Sequence, residues 1–325
     1  MNIADAERYL ERNGETLLAG GSSGAKVYDI AGKYVFKRVR RMELKNDELY
    51  VSYRREALWY ESTMGKGTGF CLPFLPEILD VRYTDEEIAI LMKRYRTVPR
   101  ENIDEELLEK IMKALAAVHT AKIPGFLEKG QQDNPDPHLF SDEEIQTFLS
   151  GWRSVLAEHP GVFDEAPLAG IAENINNIIL WAAKESKVLS HGDFHWDNLL
   201  LDEQGNLLIC DWQGVSVGAA SGDLSFLFSR LGADGIHLDE KQAVHFYAQE
   251  IKRISGKTLD GEEIFRYMDA ADVLTSFVFW HEYLHGNDVE RVRGIYGKMT
   301  GKSVLTKTTL GDKIFFEKQT VYKNA

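Results

Sequence analysis

The sequence predicts an α+β fold of two lobes, a small antiparallel β lobe with one helix followed by a larger, mainly helical lobe. Three observations predict it. Short apolar runs separated by glycine-containing turns crowd the first 95 residues, periodic helical segments dominate from residue 104 onward, and one strand–loop–strand stretch at 188–212 interrupts those helices. A chain of 325 residues is long for a single core, and the division falls at 1–95 and 96–325.

Residues 3–13 place Ile3, Ala6, Tyr9 and Leu10 at helical spacing, so a short helix leads the chain. Leu17–Ala19 then runs into Gly20-Gly21-Ser22-Ser23-Gly24. Val27–Ile30 and Tyr34–Lys37 flank a turn at Ala31-Gly32 and read as a hairpin. A helix is expected over 47–63, with Glu56 in its middle, and strands at Ile78–Arg82 and Ile88–Met92. Beyond them, Leu107, Ile111, Leu115 and Val118 mark a helix over 104–119, with Asp104 and Glu105 in its first turn, where they complement the helix dipole. Lys122–Pro137, broken by Pro124, Pro135 and Pro137, is a loop. Ser141 with Glu144 is a capping box that opens the next helix. A third helix is expected over 165–185, and the chain from 212 to about 297 reads as mostly helical.

Composition narrows the function. The net charge of −13 disfavours nucleic acid and anionic membrane as partners, because both need a basic face. It suits a cationic substrate, and equally an acidic surface that only confers solubility. No uncharged apolar run approaches the roughly 18–20 residues of a membrane span. Asp5 and Glu7 stand where a signal peptide would carry bases, so a cytoplasmic protein is expected. Cys71 and Cys210 cannot form a disulfide framework.

The chemistry is concentrated in one stretch, His191-Gly192-Asp193-Phe194-His195-Trp196-Asp197-Asn198, followed by the apolar runs Leu199–Leu201 and Leu207–Ile209 and then Cys210-Asp211-Trp212. Phosphoryl transfer asks little covalent chemistry of a protein: orient the nucleophile, accept its proton, and neutralise phosphate oxygens with a divalent metal. Asp193, at the start of a tight loop, can accept a hydroxyl proton. Asn198, five positions on, can turn back to offer its amide oxygen to a metal. The two apolar runs form a hairpin that brings Asp211 beside Asn198, and two hard oxygen donors suit magnesium.

The string His-Gly-Asp-x-x-x-x-Asn followed by Ile-x-Asp-Trp resembles the signature of the aminoglycoside phosphotransferase and choline kinase superfamily, which has a bilobal protein-kinase-like fold. Gly218 through Asp223-Leu224 is similar to that family's Gly…Asp-Leu segment, and the likeness covers roughly residues 15–230. The resemblance implies a small-molecule kinase that moves the γ-phosphoryl of ATP or GTP to a hydroxyl, with Mg2+ as cofactor. It implies that Asp223 anchors the catalytic loop, that His191 buttresses it, and that His119 is structural. It places Gly21, Ser22, Ser23 and Gly24 over the phosphates, where small residues let backbone N–H groups approach. Lys37 would pair with the α- and β-phosphates and Glu56 would orient it, with Glu48 and Glu61 as competitors. Met92 and Tyr95 fall in the hinge that pairs its backbone with the base. Trp280 and Glu282 lie where family members build the acceptor pocket. The acidic balance tilts the acceptor toward an amino-containing alcohol, with an aminoglycoside as first candidate.

Rival readings remain at this point. Without Asp-Phe-Gly (the chain has Asp211-Trp212-Gln213) or Ala-Pro-Glu, a protein kinase is disfavoured, and a nucleotide-binding pseudo-enzyme stands beside it as an alternative. His191, Asp193 and His195 form His-x-Asp-x-His, a possible transition-metal cluster, but that assignment leaves Asn198 and Asp211 without a task. His281-Glu282-Tyr283-Leu284-His285 matches the zinc-hydrolase pattern His-Glu-x-x-His, with no third-ligand motif downstream. Gly301-Lys302-Ser303 resembles the end of a phosphate loop, but Tyr296 stands where the leading glycine is required.

Overall fold

The computed structural model describes residues 1–20, 24–64, 72–99, 103–127, 137–236 and 238–302. The leading helix α1 (Ile3–Asn13) is closed by Asn2, whose side chain accepts the Asp5 N–H while the Asp5 carboxylate accepts the Asn2 N–H. Its apolar face, Ile3, Ala6 and Leu10, packs on a five-stranded sheet. The strands are β1 (Leu17–Gly20), β2 (Lys26–Ile30), β3 (Tyr34–Arg40), β4 (Ile78–Tyr83) and β5 (Glu87–Lys93), in the order β1-β2-β3-β5-β4, with every neighbouring pair antiparallel. The β2–β3 turn carries positive φ at both Ala31 (55°) and Gly32 (67°), the hand that matches a twisted hairpin.

Strand alternation sorts the sheet's side chains. Tyr28, Ile30, Phe36, Ala89 and Leu91 join α1 on one face, while Val39, Ile88, Ile90 and Met92 face the helix α2 (Asp47–Met64), inserted between β3 and β4. Both faces are therefore covered, which accounts for the unbroken apolar run at 88–92. Lys37 follows Phe36 on β3 and so emerges on the α2 face.

The chain leaves this sheet at Arg94. β6 (Arg96–Thr97) pairs with β8 (Leu199–Leu201), which pairs with β9 (Leu207–Ile209), all antiparallel. The helical part begins with α3 (Glu105–Thr120), where Asp104 is the cap itself and accepts the Leu107 N–H. α4 (Asp142–Ala157) opens on the Ser141–Glu144 capping box with both reciprocal bonds formed, and α5 (Ala166–Ala182) follows. β7 (Lys187–Ser190) pairs with β10 (Ser216–Ala219) rather than with the strands that come next. The expected single unit at 188–212 is thus shared between two sheets, because residues 191–198 form a loop ending in a 3-10 turn instead of a tight hairpin. Next come α6 (Ala220–Ala233), α7 (Glu240–Ser255), α8 (Gly261–Thr275), a π-helical turn (Ser276–Trp280), the single-turn α9 (His281–Leu284) and α10 (Val289–Thr300).

One core runs from α2 through α3 and α6 to α7, and a second joins α4, α5, α8 and α10. Among the described residues no helix is long and apolar enough to cross a membrane.

Candidate active site

The two parts of the chain meet at a charged triad. Lys37 Nζ lies 2.8 Å from Glu56 Oε2 on α2 and 2.6 Å from Asp211 Oδ1 just beyond β9. The Lys37 ammonium also sits over the Tyr53 ring, 4.9 Å from its centroid. Of the rival acids, Glu61 accepts the Tyr83 hydroxyl at 2.7 Å and Glu48 is exposed. Burial works against the Lys37 charge, but Asp211 and then Glu56 outweigh it and hold the ammonium above the ordinary lysine range. Burial likewise pushes the Glu56 carboxyl up to about 7, with Lys37 pulling the other way. The Lys37 charge is the firmer feature, since two carboxylates face one cation.

Asp211 has left-handed backbone angles, φ 61° and ψ 61°. Aspartate tolerates that region better than most residues, and sparsely populated backbone of this kind gathers at functional sites. The β8–β9 register, Leu199 opposite Ile209, sets Asn198 beside Cys210, whose N–H donates to the Asn198 carbonyl at 2.9 Å. The Asn198 side-chain nitrogen donates to the Asp193 carbonyl at 2.9 Å and lies 3.5 Å from Asp193 Oδ2, so its amide oxygen is the end left for a cation. Asp193, Asn198, Asp211 and Lys37 are thus gathered at one place by β3, the 191–198 loop and the end of β9.

The loop that carries Asp193 is held from below. Asp223 on α6 accepts four hydrogen bonds: from Gly192 N–H at 2.8 Å, His191 N–H at 2.8 Å, Ser190 Oγ at 3.0 Å, and His119 Nε2 at 3.1 Å. His119 in turn meets the Tyr247 hydroxyl at 2.8 Å. Burial alone would raise the Asp223 carboxyl, but His119 and the loop N–H groups hold it below the usual carboxylate range. His191 is fully buried, with Nε2 3.0 Å from the Cys210 carbonyl and Nδ1 accepting the Asp193 N–H at 3.3 Å. That pattern fits the neutral imidazole, and burial lowers its pKa accordingly. Burial also pushes the Asp193 carboxyl up, but His195 first and then His191 and Asn198 bring it below the ordinary value, so it is ionised at neutral pH.

Four neighbours of the loop escaped the sequence reading as a group. His195 Nε2 is 3.5 Å from Asp193 Oδ1, and its other nitrogen faces Asp197. The ring lies edge-on to Phe226, and Arg230 is 3.9 Å from Asp197. The signal was the spacing of Asp223, Phe226 and Arg230, which puts all three on one face of α6.

The remaining expected residues divide. Gly24 has φ 91°, and a Cβ there would lie 3.0 Å from Leu44 Cδ2, so the position calls for glycine; Gly21, Ser22 and Ser23 lie outside the described residues. Met92 is buried on β5, and the Tyr95 hydroxyl accepts the Glu77 N–H at 3.0 Å. The Lys93 and Arg94 N–H groups are given to the Glu77 and Lys33 carbonyls. Trp280 lines a cavity of about 610 Å3 between α6, α8 and α10, whose carboxylates are Glu240, Asp272, Asp288 and Glu290. Glu282 is exposed and does not line that cavity. The π-helical turn at 276–280 shifts every later side chain from its α-helical direction.

The His-Glu-x-x-His helix also fails to form beyond one turn. His281 packs against Gly151, where a Cβ would be 2.3 Å from its Nδ1, while His285 Nδ1 pairs with Glu158 at 2.6 Å. Among the described residues no group of three or more His, Cys, Asp or Glu is placed to hold a metal. Lys302 is held by Asp272 at 3.0 Å and Asp269 at 3.1 Å, a structural pairing.

A model of the phosphotransferase enzyme family matches residues 15–256. No curated protein sequence matches the chain. Among solved structures, the ADP-bound aminoglycoside phosphotransferase APH(2'')-Ib is similar at TM-score 0.54 and 16% identity, over 93% of this chain and 98% of that one. Choline kinase LicA from Streptococcus pneumoniae gives 0.54 and 16%, over 92% and 98%. The Plasmodium vivax ethanolamine kinase gives 0.54 and 13%, over 92% and 84%. At these identities the likeness establishes the bilobal kinase-like fold.

Proposed function

We propose, because this chain belongs to the phosphotransferase enzyme family and is a small-molecule phosphotransferase, that it moves the γ-phosphoryl of ATP or GTP to a hydroxyl of an amino-bearing acceptor, with an aminoglycoside as first candidate. The observation that carries this reading is the convergence of Asp193, Asn198, Asp211 and Lys37, with Lys37 Nζ only 2.6 Å from Asp211. Lys37 binds the phosphates of the nucleotide, and Glu56 keeps its ammonium aimed at them. The stretch 20–26 is assigned to the phosphates by its glycines and serines, and the hinge at 92–95 to the base. Asp193, ionised and fixed by its loop, orients the acceptor hydroxyl and takes its proton as the new bond forms.

Asn198 and Asp211 offer an all-oxygen donor pair, and that chemistry fits magnesium. When bound there, the ion would supply charge neutralisation to the phosphate oxygens.

The acceptor reading draws on the cavity. It lies across α6 from the 191–198 loop: Phe226 and Arg230 of that helix face His195 and Asp197, while Phe228 and Ser229 on the other face line the cavity. Asp272 there is engaged by Lys302, Glu290 by Arg293 and Asp288 by the α10 N–H groups, so Glu240 and the Trp280 ring are what the lining offers an amine. The solved relatives named above are themselves named for amine-bearing acceptors.

The test is nucleoside diphosphate release from magnesium–ATP and magnesium–GTP with kanamycin, choline, ethanolamine and a neutral sugar as acceptors. Amines should stimulate release above the sugar; release with the sugar alone would remove the amine reading. Asp193→Asn should lower kcat by roughly 10²–10⁴ with nucleotide affinity unchanged. Near-normal turnover in that variant would take Asp193 out of the mechanism.

A further inference from the structure

Asp193 has two carboxylate oxygens, and only one can take the acceptor's proton. The structure treats them differently. Oδ2 has the Asn198 side-chain nitrogen at 3.5 Å, but that nitrogen is committed to the Asp193 carbonyl at 2.9 Å. Oδ1 has the His195 Nε2 at 3.5 Å, and this ring is held on two sides. Its Nδ1 accepts the Asp197 N–H at 3.4 Å and caps the 3-10 turn Trp196–Asn198. Its face is set by the edge of Phe226, 5.9 Å between centroids at 78°. Its side chain is 14% exposed. Nδ1 as acceptor puts the proton on Nε2, so the ring offers N–H to Asp193. Catalytic contacts of this length shorten once substrate is in place.

We infer that His195 is a positioning residue for phosphoryl transfer: its Nε2–H fixes Asp193 Oδ1 and so presents Oδ2 to the acceptor hydroxyl. This rests on Asp193 being the base. The proton itself passes from the hydroxyl to Asp193 Oδ2; His195 neither gains nor loses one. Asp197 and Phe226 serve by holding the ring, and α6 therefore supports the base twice, through Asp223 beneath the loop and through Phe226 behind the imidazole.

A merely structural histidine would act only through its cap on the turn, and two substitutions separate the roles. In His195→Asn the amide oxygen can replace Nδ1 as the cap but the side chain stops short of Asp193. In His195→Gln the amide nitrogen reaches the place of Nε2. Turnover is read as ADP release from magnesium–ATP, with water as the acceptor and again with the best acceptor of the panel. His195→Asn should lower kcat by about 10- to 100-fold, the scale of one lost hydrogen bond to a charged group. His195→Gln should recover kcat to within about threefold of the wild type. Magnesium–ATP affinity, which reports that the loop is folded, should be the same in all three proteins. In an Asp193→Asn background the His195→Asn change should add nothing, because the group it positions is already gone.

Equal loss in the Asn and Gln variants, or no loss in the Asn variant, would overturn the inference. A full further loss in the Asp193→Asn background would also overturn it, by showing that His195 acts independently. Near-normal kcat in Asp193→Asn alone marks a different failure, that of the base, and the inference falls with it.

Discussion

At the scale of single residues, the motif around Asp193 is an exercise in close approach. Gly192 has φ 76°, and a Cβ there would stand 2.1 Å from the Gly214 carbonyl oxygen. The 191–198 loop and the 3-10 turn after Asp211 touch backbone to backbone at this point. Gly192→Ala should cost about 1–3 kcal/mol, from the left-handed backbone and the clash together. It should also lower kcat by about 10²-fold or more, because Asp193, the proposed base, and the Asp211 turn are pushed apart. Thermal unfolding and steady-state turnover on the same preparation check both. Wild-type values in both would mean that the two backbones do not meet. The same closeness explains why this part of the site was legible in the sequence. A glycine between His191 and Asp193, an Asn five positions past the base, and a carboxylate after an apolar run are constraints that backbone geometry writes directly into residue types. His195, by contrast, was legible only as a residue with several uses, since its contact with Asp193 depends on Phe226, more than thirty positions away.

At the scale of elements, α6 is the support of the loop, and Asp223 is where the support is exerted. Its carboxyl is held below the ordinary value, so the sign of its pH effect is fixed. The stability it contributes is complete above the unfolded-state value near 3.9 and is lost as the pH falls through the lower folded-state value. Asp223→Asn, which faces four donors with an amide, should be less stable at pH 7 by about 2–4 kcal/mol. Its urea midpoint should vary less than that of the wild type between pH 5 and pH 3. A parallel pair of curves would show that Asp223 does not titrate with unfolding. Amphipathic helices and glycine-bounded strands were readable because burial imposes a period on the sequence. The π-helical turn at 276–280 was not, because one widened turn changes hydrogen-bond partners without changing composition. Nor was the β7–β10 pair, whose partners are chosen by a loop that fails to turn tightly.

At the scale of the whole molecule, the sheet-bearing part and the helical part are joined at their mouth by Lys37 and Asp211. Asp211 is thus shared between an ammonium of one part and the expected metal of the other. Asp211→Ala should abolish the gain in ATP affinity that magnesium confers, while weak metal-free binding through Lys37 persists. Calorimetry with and without magnesium reads this directly, and a full magnesium-dependent gain in the variant would displace Asp211 from the metal site. The acidic cavity belongs to this scale too. Glu240, Asp272 and the pair Asp288 and Glu290 come from three separate helical segments, so no local pattern in the chain announces their meeting.

The β2–β3 hairpin turn has a practical corollary. Ala31 adopts positive φ at an exposed position, a posture that asparagine accepts more readily. Ala31→Asn should therefore add about 1 kcal/mol and raise the melting temperature by roughly 1–3 °C with turnover untouched. A calorimetric scan and a turnover assay of that variant beside the wild type check it, and an unchanged or lower melting temperature would show that the turn stores no such strain.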